Sequence, residues 1–141
     1  MILDTSAVLA VLFSEADAAL YAKAISEADS CRISAANFVE VSIVVEAQAG
    51  DGGIRQCDAL FQRAGISIEP VTEEQALLAR QGFSDYGKGR HPAGLNFGDC
   101  FAYALAKLTA EPLLFKGGDF SKTDITPALP PTTPRKQPRR K

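Results

Sequence analysis

Met1-Ile2-Leu3-Asp4-Thr5-Ser6 decides the fold. Three apolar residues run straight into an aspartate. As a strand, Met1–Leu3 is apolar on both faces, the pattern of an interior strand in a parallel sheet covered by helices on both sides. The apolar run stops at Asp4, and a helical segment, Ala7-Val8-Leu9-Ala10-Val11-Leu12-Phe13, begins after Ser6. Open parallel sheets bind ligands beyond the carboxyl ends of their strands. Asp4 is therefore expected at that edge, and the question for the rest of the chain is which other acids arrive there.

The 141 residues suffice for one domain with its own core, and 46% hydrophobic content marks a globular chain. No apolar run is long enough to cross a bilayer. The first residues lack a charged n-region and a small-residue cleavage site, so the expected compartment is the cytoplasm, with no membrane partner. Cys31, Cys57 and Cys100 are odd in number and widely spaced, against a disulfide framework, and His91 as the sole histidine leaves no zinc pattern. The net charge of −2 conceals an asymmetry: Arg135, Lys136, Arg139, Arg140 and Lys141 lie in the last seven residues. Without those five, 10 basic residues face 17 acidic ones, a net −7. An acidic body is no simple nucleic-acid-binding surface, but it suits carboxylates gathered around a divalent cation.

Along the chain, strand and helix signals alternate. Ser14–Asp17 starts a helix over 18–28, and Arg32–Ser34 is a short second strand. Asn37 is placed to cap a helix to about Gln48, with Phe38, Val41, Val44 and Val45 as its apolar stripe and Glu40 in its first turn. Gly50–Gly53 breaks the chain before another helix over 54–63. Gly65–Pro70 holds a third strand, Thr72–Gln75 opens a helix to about Tyr86, and 87–94 is a loop by composition. Asn96–Asp99 opens a helix to about Thr109, Pro112–Lys116 is a fourth strand, and Thr123–Ile125 is expected to add a short fifth. This alternation predicts one α/β domain with a central parallel sheet of four to five strands. The domain is expected to span 1–126, with 127–141, which holds Pro127, Pro130, Pro131, Pro134 and Pro138, as a disordered basic tail.

In such a fold Asp4 and Asp119 lie just after strands, while Glu40 and Asp99 lie at helix starts. All four thus head for one edge of the sheet. Four carboxylates close together cannot all stay ionised in dry surroundings. One or two Mg²⁺ or Mn²⁺ ions, which prefer oxygen ligands, would resolve the repulsion and assist hydrolysis of a phosphodiester. Each acid also has a plain structural use. Asp4 with Ser6 can cap the first helix, Asp99 can close a capping box with Asn96, Glu40 suits a helix dipole, and Asp119 suits a turn.

Four segments in this order resemble PIN-domain ribonucleases of the VapC toxin type: Met1–Ala7, Ser34-Ala35-Ala36-Asn37-Phe38-Val39-Glu40, Leu95-Asn96-Phe97-Gly98-Asp99-Cys100-Phe101-Ala102-Tyr103-Ala104, and Pro112–Phe120. The resemblance covers about 1–126 and implies a PIN-like α/β/α sandwich. It also implies a Mg²⁺-dependent endoribonuclease, usually a homodimer, paired with and inhibited by a cognate antitoxin. By position it makes Asp4, Glu40, Asp99 and Asp119 the acidic, metal-holding site. Asp124 is an additional acid, and Ser6 is expected to orient Asp4 or a metal-bound water. Gly118 stands where an asparagine is frequent before the fourth acid. Lys88, Arg90 and His91 lie in the loop before the third acid and are candidates for contact with RNA phosphates, or simply a solvated loop.

Two rival readings place the same acids differently. A Mg²⁺-dependent phosphoryl-transfer domain would use Lys116 after a late strand. It lacks an aspartate at the end of the third strand, which reads Ile68-Glu69-Pro70, and a second aspartate at the position of Ser6. A PIN fold used only to bind RNA or protein would be signalled by loss of the acids, and all four are present.

Overall fold

The computed structural model describes residues 1–130. The reading of Met1–Leu3 sets the architecture. Strand β1 (Ile2–Leu3) is interior to a four-stranded parallel sheet, β1 lying between β2 (Cys31–Ser34) and β4 (Leu113–Leu114), with β3 (Ile66–Glu69) outside β2. Successive residues of β1 face opposite sides, as strand geometry demands. Leu3 joins one cluster with Val8, Ile33, Val41, Val45 and Leu114, while Ile2 joins another with Leu95, Leu105, Leu113 and Phe120. Both β1 side chains are fully buried. The helices are α1 (Thr5–Leu12), α2 (Ala18–Glu27), α3 (Ala35–Ala64), α4 (Glu73–Tyr86) and α5 (Phe97–Thr109). The first three supply the first cluster; α5, with Ala79 of α4, supplies the second. Among the described residues no helix is long and apolar enough to cross a membrane, and all three cysteines are buried free thiols.

Several local expectations change. Asn37 does not cap α3. Strand β2 runs directly into the helix, and Ser34 caps it, its hydroxyl accepting from Ala36 N at 3.3 Å. Starting at Ala35, α3 carries Glu40 in its second turn rather than its first. The break expected at Gly50–Gly53 is present but confined to Gly50, which takes φ 59° and ψ −154°, a non-helical conformation open to glycine and strained for any other residue, so α3 is two helical segments and the second begins at Asp51 rather than Ile54. Thr123–Ile125 is not a strand. A 3₁₀ turn (Phe120–Lys122) precedes it, and Thr123 folds the backbone by donating to Phe120 O at 2.7 Å and accepting from Ile125 N at 3.2 Å. The sheet is instead extended by a single bridge between Leu113 and Pro127, with Leu113 N donating to Thr126 O and Ala128 N to Leu113 O. Proline fits there because it is asked for no ladder donor. Ala128 and Leu129 pack against the first cluster, so 127–130 lie on the body, although the sequence assigned them to the tail. The rest of that expected tail, 131–141, falls outside the described residues.

Candidate active site at the carboxyl edge of the sheet

The first acid is held by the turn that carries it. Asp4 caps α1, its Oδ2 accepting from Ser6 N at 3.0 Å and Ser6 Oγ at 2.5 Å. Ser6 Oγ in turn accepts from Lys116 N at 2.9 Å, which ties the exit of β4 to the exit of β1. Asp4 is 4% exposed, and its Oδ1 is buried with no hydrogen-bond partner. Burial raises its pKa from 3.8 to about 6, against the two Ser6 hydrogen bonds and with further lift from the charges of Asp99 and Glu40. Helix capping alone would leave this aspartate relaxed; the orphaned oxygen and the neighbouring carboxylates do not.

Asp99 lies in the first turn of α5. It closes a capping box, Asp99 N donating to Asn96 Oδ1 at 2.9 Å and Asn96 N to Asp99 Oδ2 at 3.0 Å. Oδ1 is left outside the box. Burial, opposed by the Asn96 N–H and reinforced by the charges of Asp119 and Glu40, holds the Asp99 carboxyl above its ordinary value. Glu40 is half-buried, its Oε1 accepting from Thr5 Oγ1 and, at 3.5 Å, from Asn37 Nδ2. Asp119 is exposed at the start of the 3₁₀ turn, where its charge acts on Asp99.

Asp4, Glu40, Asp99 and Asp119 are thus linked electrostatically at one edge. Among the described residues no three Asp, Glu, His or Cys side chains draw close enough to cage a metal ion by themselves. That arrangement still fits Mg²⁺, which is commonly held by one or two carboxylates and retains much of its water. The buried, unpartnered Oδ1 of Asp4 is the feature of this edge that a bound cation would satisfy.

Asp124 does not join this group. Its carboxylate accepts from Tyr103 Oη at 2.9 Å and Lys107 Nζ at 2.6 Å, further along α5 than Asp99. Partial burial would raise its pKa, but those two hydrogen bonds outweigh it and hold the carboxyl below its ordinary value. Lys116, the lysine of the phosphoryl-transfer reading, is paired with Glu15 and, at 3.0 Å, with Asp17. The loop carrying Lys88, Arg90 and His91 is pinned at its neck by Lys88 N donating to Leu95 O and Leu95 N to Tyr86 O, immediately before the Asn96 cap. Lys88 and Arg90 are exposed. The Arg90 guanidinium lies 5.5 Å from the Phe83 ring centroid, and His91 Nδ1 accepts from Ala93 N at 3.0 Å.

Sequence reasoning missed Thr5, Asn37 and Gly98. Asn37 is fully buried and donates to Gly98 O at 2.9 Å, bracing the start of α5. Its spacing of three residues from Glu40 placed both on one helical face, a signal masked by the equally good explanation that Asn caps helices.

The PIN domain family matches residues 1–125. A VapC ribonuclease of Mycobacterium bovis and ribonuclease VapC28 of Mycobacterium tuberculosis are each 52% identical over 130 residues, covering 92% of this chain and 98% of theirs. Ribonuclease VapC of Mycolicibacterium smegmatis is 46% identical over 125 residues, covering 89% and 97%. Among solved structures, Mycobacterium tuberculosis VapC20, described as a sarcin-ricin loop cleaving toxin, superposes with a TM-score of 0.73 at 16% identity, covering 89% of this chain and 95% of its own. A toxin–antitoxin complex from Klebsiella pneumoniae gives 0.64 at 21% identity, covering 87% and 92%. Strand order, the acids at the carboxyl edge and near-full-length similarity agree: the chain belongs to the PIN-domain family, of the VapC type.

Proposed function

We propose that this chain is a Mg²⁺-dependent endoribonuclease, the toxin of a toxin–antitoxin pair, with Mn²⁺ as an alternative ion. The observation that carries the reading is Asp4 Oδ1: buried, without a hydrogen-bond partner, and under the charges of Asp99 and Glu40. Relatives named ribonucleases at about half identity, and the general dependence of PIN-domain ribonucleases on divalent metals, support it.

Asp4 and Asp99 are the principal ligands, with Glu40 and Asp119 completing the acidic edge. A divalent cation bound there supplies charge neutralisation and a lowered pKa for water. Ser6 holds Asp4 with Oδ2 turned to α1 and Oδ1 turned away from its hydroxyl. The capping box holds Asp99 by one oxygen in the same sense. Both carboxylates are thereby oriented before substrate arrives, which lowers the cost of assembling the reactive geometry. Lys88 and Arg90, exposed beside the Asn96 cap, contact RNA phosphates, and His91 shapes the loop that presents them. Asp124 supports the segment carrying Asp119 rather than the ion.

The partners in this reading are RNA, a cognate antitoxin and a second copy of the chain, in the cytoplasm. Val39 and Ile43, one helical turn apart on α3, are both more than half exposed, as is Phe97 on α5, and such exposed apolar side chains are candidates for cover by a protein partner. The test is cleavage of RNA by purified protein with Mg²⁺, with EDTA, and by Asp99→Asn. Asparagine keeps the side-chain size and an acceptor for Asn96 N but lacks the charge. Cutting should need Mg²⁺ and fall by at least about 100-fold in the variant, the scale on which removal of a preorganised charged group acts. Wild-type cutting by the variant, or in EDTA, would defeat the assignment.

A further inference from the structure

The Glu40 carboxylate is gripped from two sides. On one side Thr5 Oγ1 donates to Oε1, and Asn37 Nδ2 reaches the same oxygen at 3.5 Å. That amide also donates to Thr5 Oγ1 at 3.3 Å and to Gly98 O at 2.9 Å, so one side chain ties α3 to the turn after β1 and to the start of α5. On the other side the carboxylate lies against Gly98. A β-carbon there would come within 2.8 Å of both Glu40 Cδ and Oε1, and nearer still to Oε2. Gly98 lies in the first turn of α5 and does not have a positive φ, so its backbone does not require glycine. Glycine weakens a helix relative to alanine. The space, not the backbone, explains the residue.

We infer that Thr5, Asn37 and Gly98 form a seat for the Glu40 carboxylate, and that Gly98 is a positioning residue acting on the acidic edge through Glu40. The inference rests on Glu40 being one of the site acids in the proposed function. The atoms blocking a β-carbon are the far end of a flexible side chain, so Gly98→Ala displaces the carboxylate and leaves α5 in place.

Wild type, Gly98→Ala, Glu40→Ala and the double variant would be compared by thermal unfolding without metal, by calorimetric titration with Mn²⁺ alone, and by kcat and KM on an RNA oligonucleotide. Gly98→Ala should unfold at the wild-type temperature or a few degrees above it. It should nevertheless lose about tenfold or more in Mn²⁺ affinity and in kcat, the scale seen when a supporting contact or a small misplacement disturbs a site. In the Glu40→Ala background the same substitution should change neither, because no carboxylate remains to displace. Thr5→Val should weaken both in the same Glu40-dependent way, and Thr5→Ser should restore them; this second arm holds if Gly98→Ala does not fold. Wild-type affinity and kcat in Gly98→Ala and Thr5→Val, or an equal loss with and without Glu40, overturns the seat. Wild-type behaviour of Glu40→Ala itself overturns the assignment of Glu40 as a site acid, a distinct failure that removes the basis of the inference.

Discussion

Asp4→Asn isolates the electrostatic strain at the carboxyl edge. The Asp4 carboxyl is raised from 3.8 to about 6, first by burial, opposed by Ser6 and then lifted by Asp99 and Glu40. A carboxyl whose pKa is higher folded than unfolded binds its proton more tightly in the native state. Its contribution to stability is therefore fully present below pH 3.8, is lost as pH rises to about 6, and is flat beyond. At about 1.36 kcal/mol per unit the whole loss comes to about 3 kcal/mol, of which about 2 kcal/mol falls between pH 4.5 and 7.5. Asparagine keeps an acceptor for Ser6 but cannot titrate. Its amide group, standing where Oδ1 was, meets no acceptor and costs about 1–3 kcal/mol at every pH. The absolute stability of the variant thus decides nothing; the pH dependence of its difference from wild type decides the matter. Asp99 is also raised, but it is present in both proteins and largely cancels. Urea unfolding of both in EDTA, at several values between pH 4.5 and 7.5, should show the difference moving in favour of Asp4→Asn by about 2 kcal/mol across that range. Mg²⁺ added at pH 7.5 should then stabilise wild type and not the variant, since a ligand stabilises only the state that binds it. A difference that stays level with pH, or moves the other way, would refute burial strain at Asp4.

Two further perturbations probe the supports of the site. Ser6→Ala removes the hydroxyl that donates to Asp4 and accepts from Lys116 N; unfolding should show a loss of about 1–3 kcal/mol, and the pH at which RNA cleavage switches on should move upward as Asp4 loses the interaction that lowers its pKa. Tyr103→Phe removes the hydrogen bond to Asp124 but leaves the Lys107 ion pair; stability should fall by about 1 kcal/mol, and cleavage should fall less than in Asp99→Asn, because the change reaches Asp119 only through the segment that carries it.

Periodicity and composition carried the layout well because those signals are local. The two-sided apolar pattern of Ile2–Leu3 requires cover on both faces, and alternating helices supply it. The Asn96–Asp99 box was legible for the same reason, since both partners lie within one turn. Local rules failed where two neighbours were equally good. Ser34 and Asn37 are both strong caps, and only the direct run of β2 into α3 selects the serine. The break at Gly50–Gly53 was legible in composition, although it is confined to Gly50, beyond which the second helical segment of α3 packs Cys57 and Phe61 on the core.

From sequence alone came the parallel α/β arrangement, the position of Asp4 at the end of its interior strand, and the order of the acids along the chain. These follow from residue type and spacing within a single element. The tertiary structure decided which acids meet: Asp99 and Glu40 act on Asp4, whereas Asp124 turns to Tyr103 and Lys107. It also decided that Asn37 is a brace and that Gly98 leaves room for a carboxylate. Such contacts join residues as far apart as Asn37 and Gly98, and their free energy exists only once sheet and helices have packed and excluded water. No window of sequence contains both partners or the desolvation that makes their pairing matter.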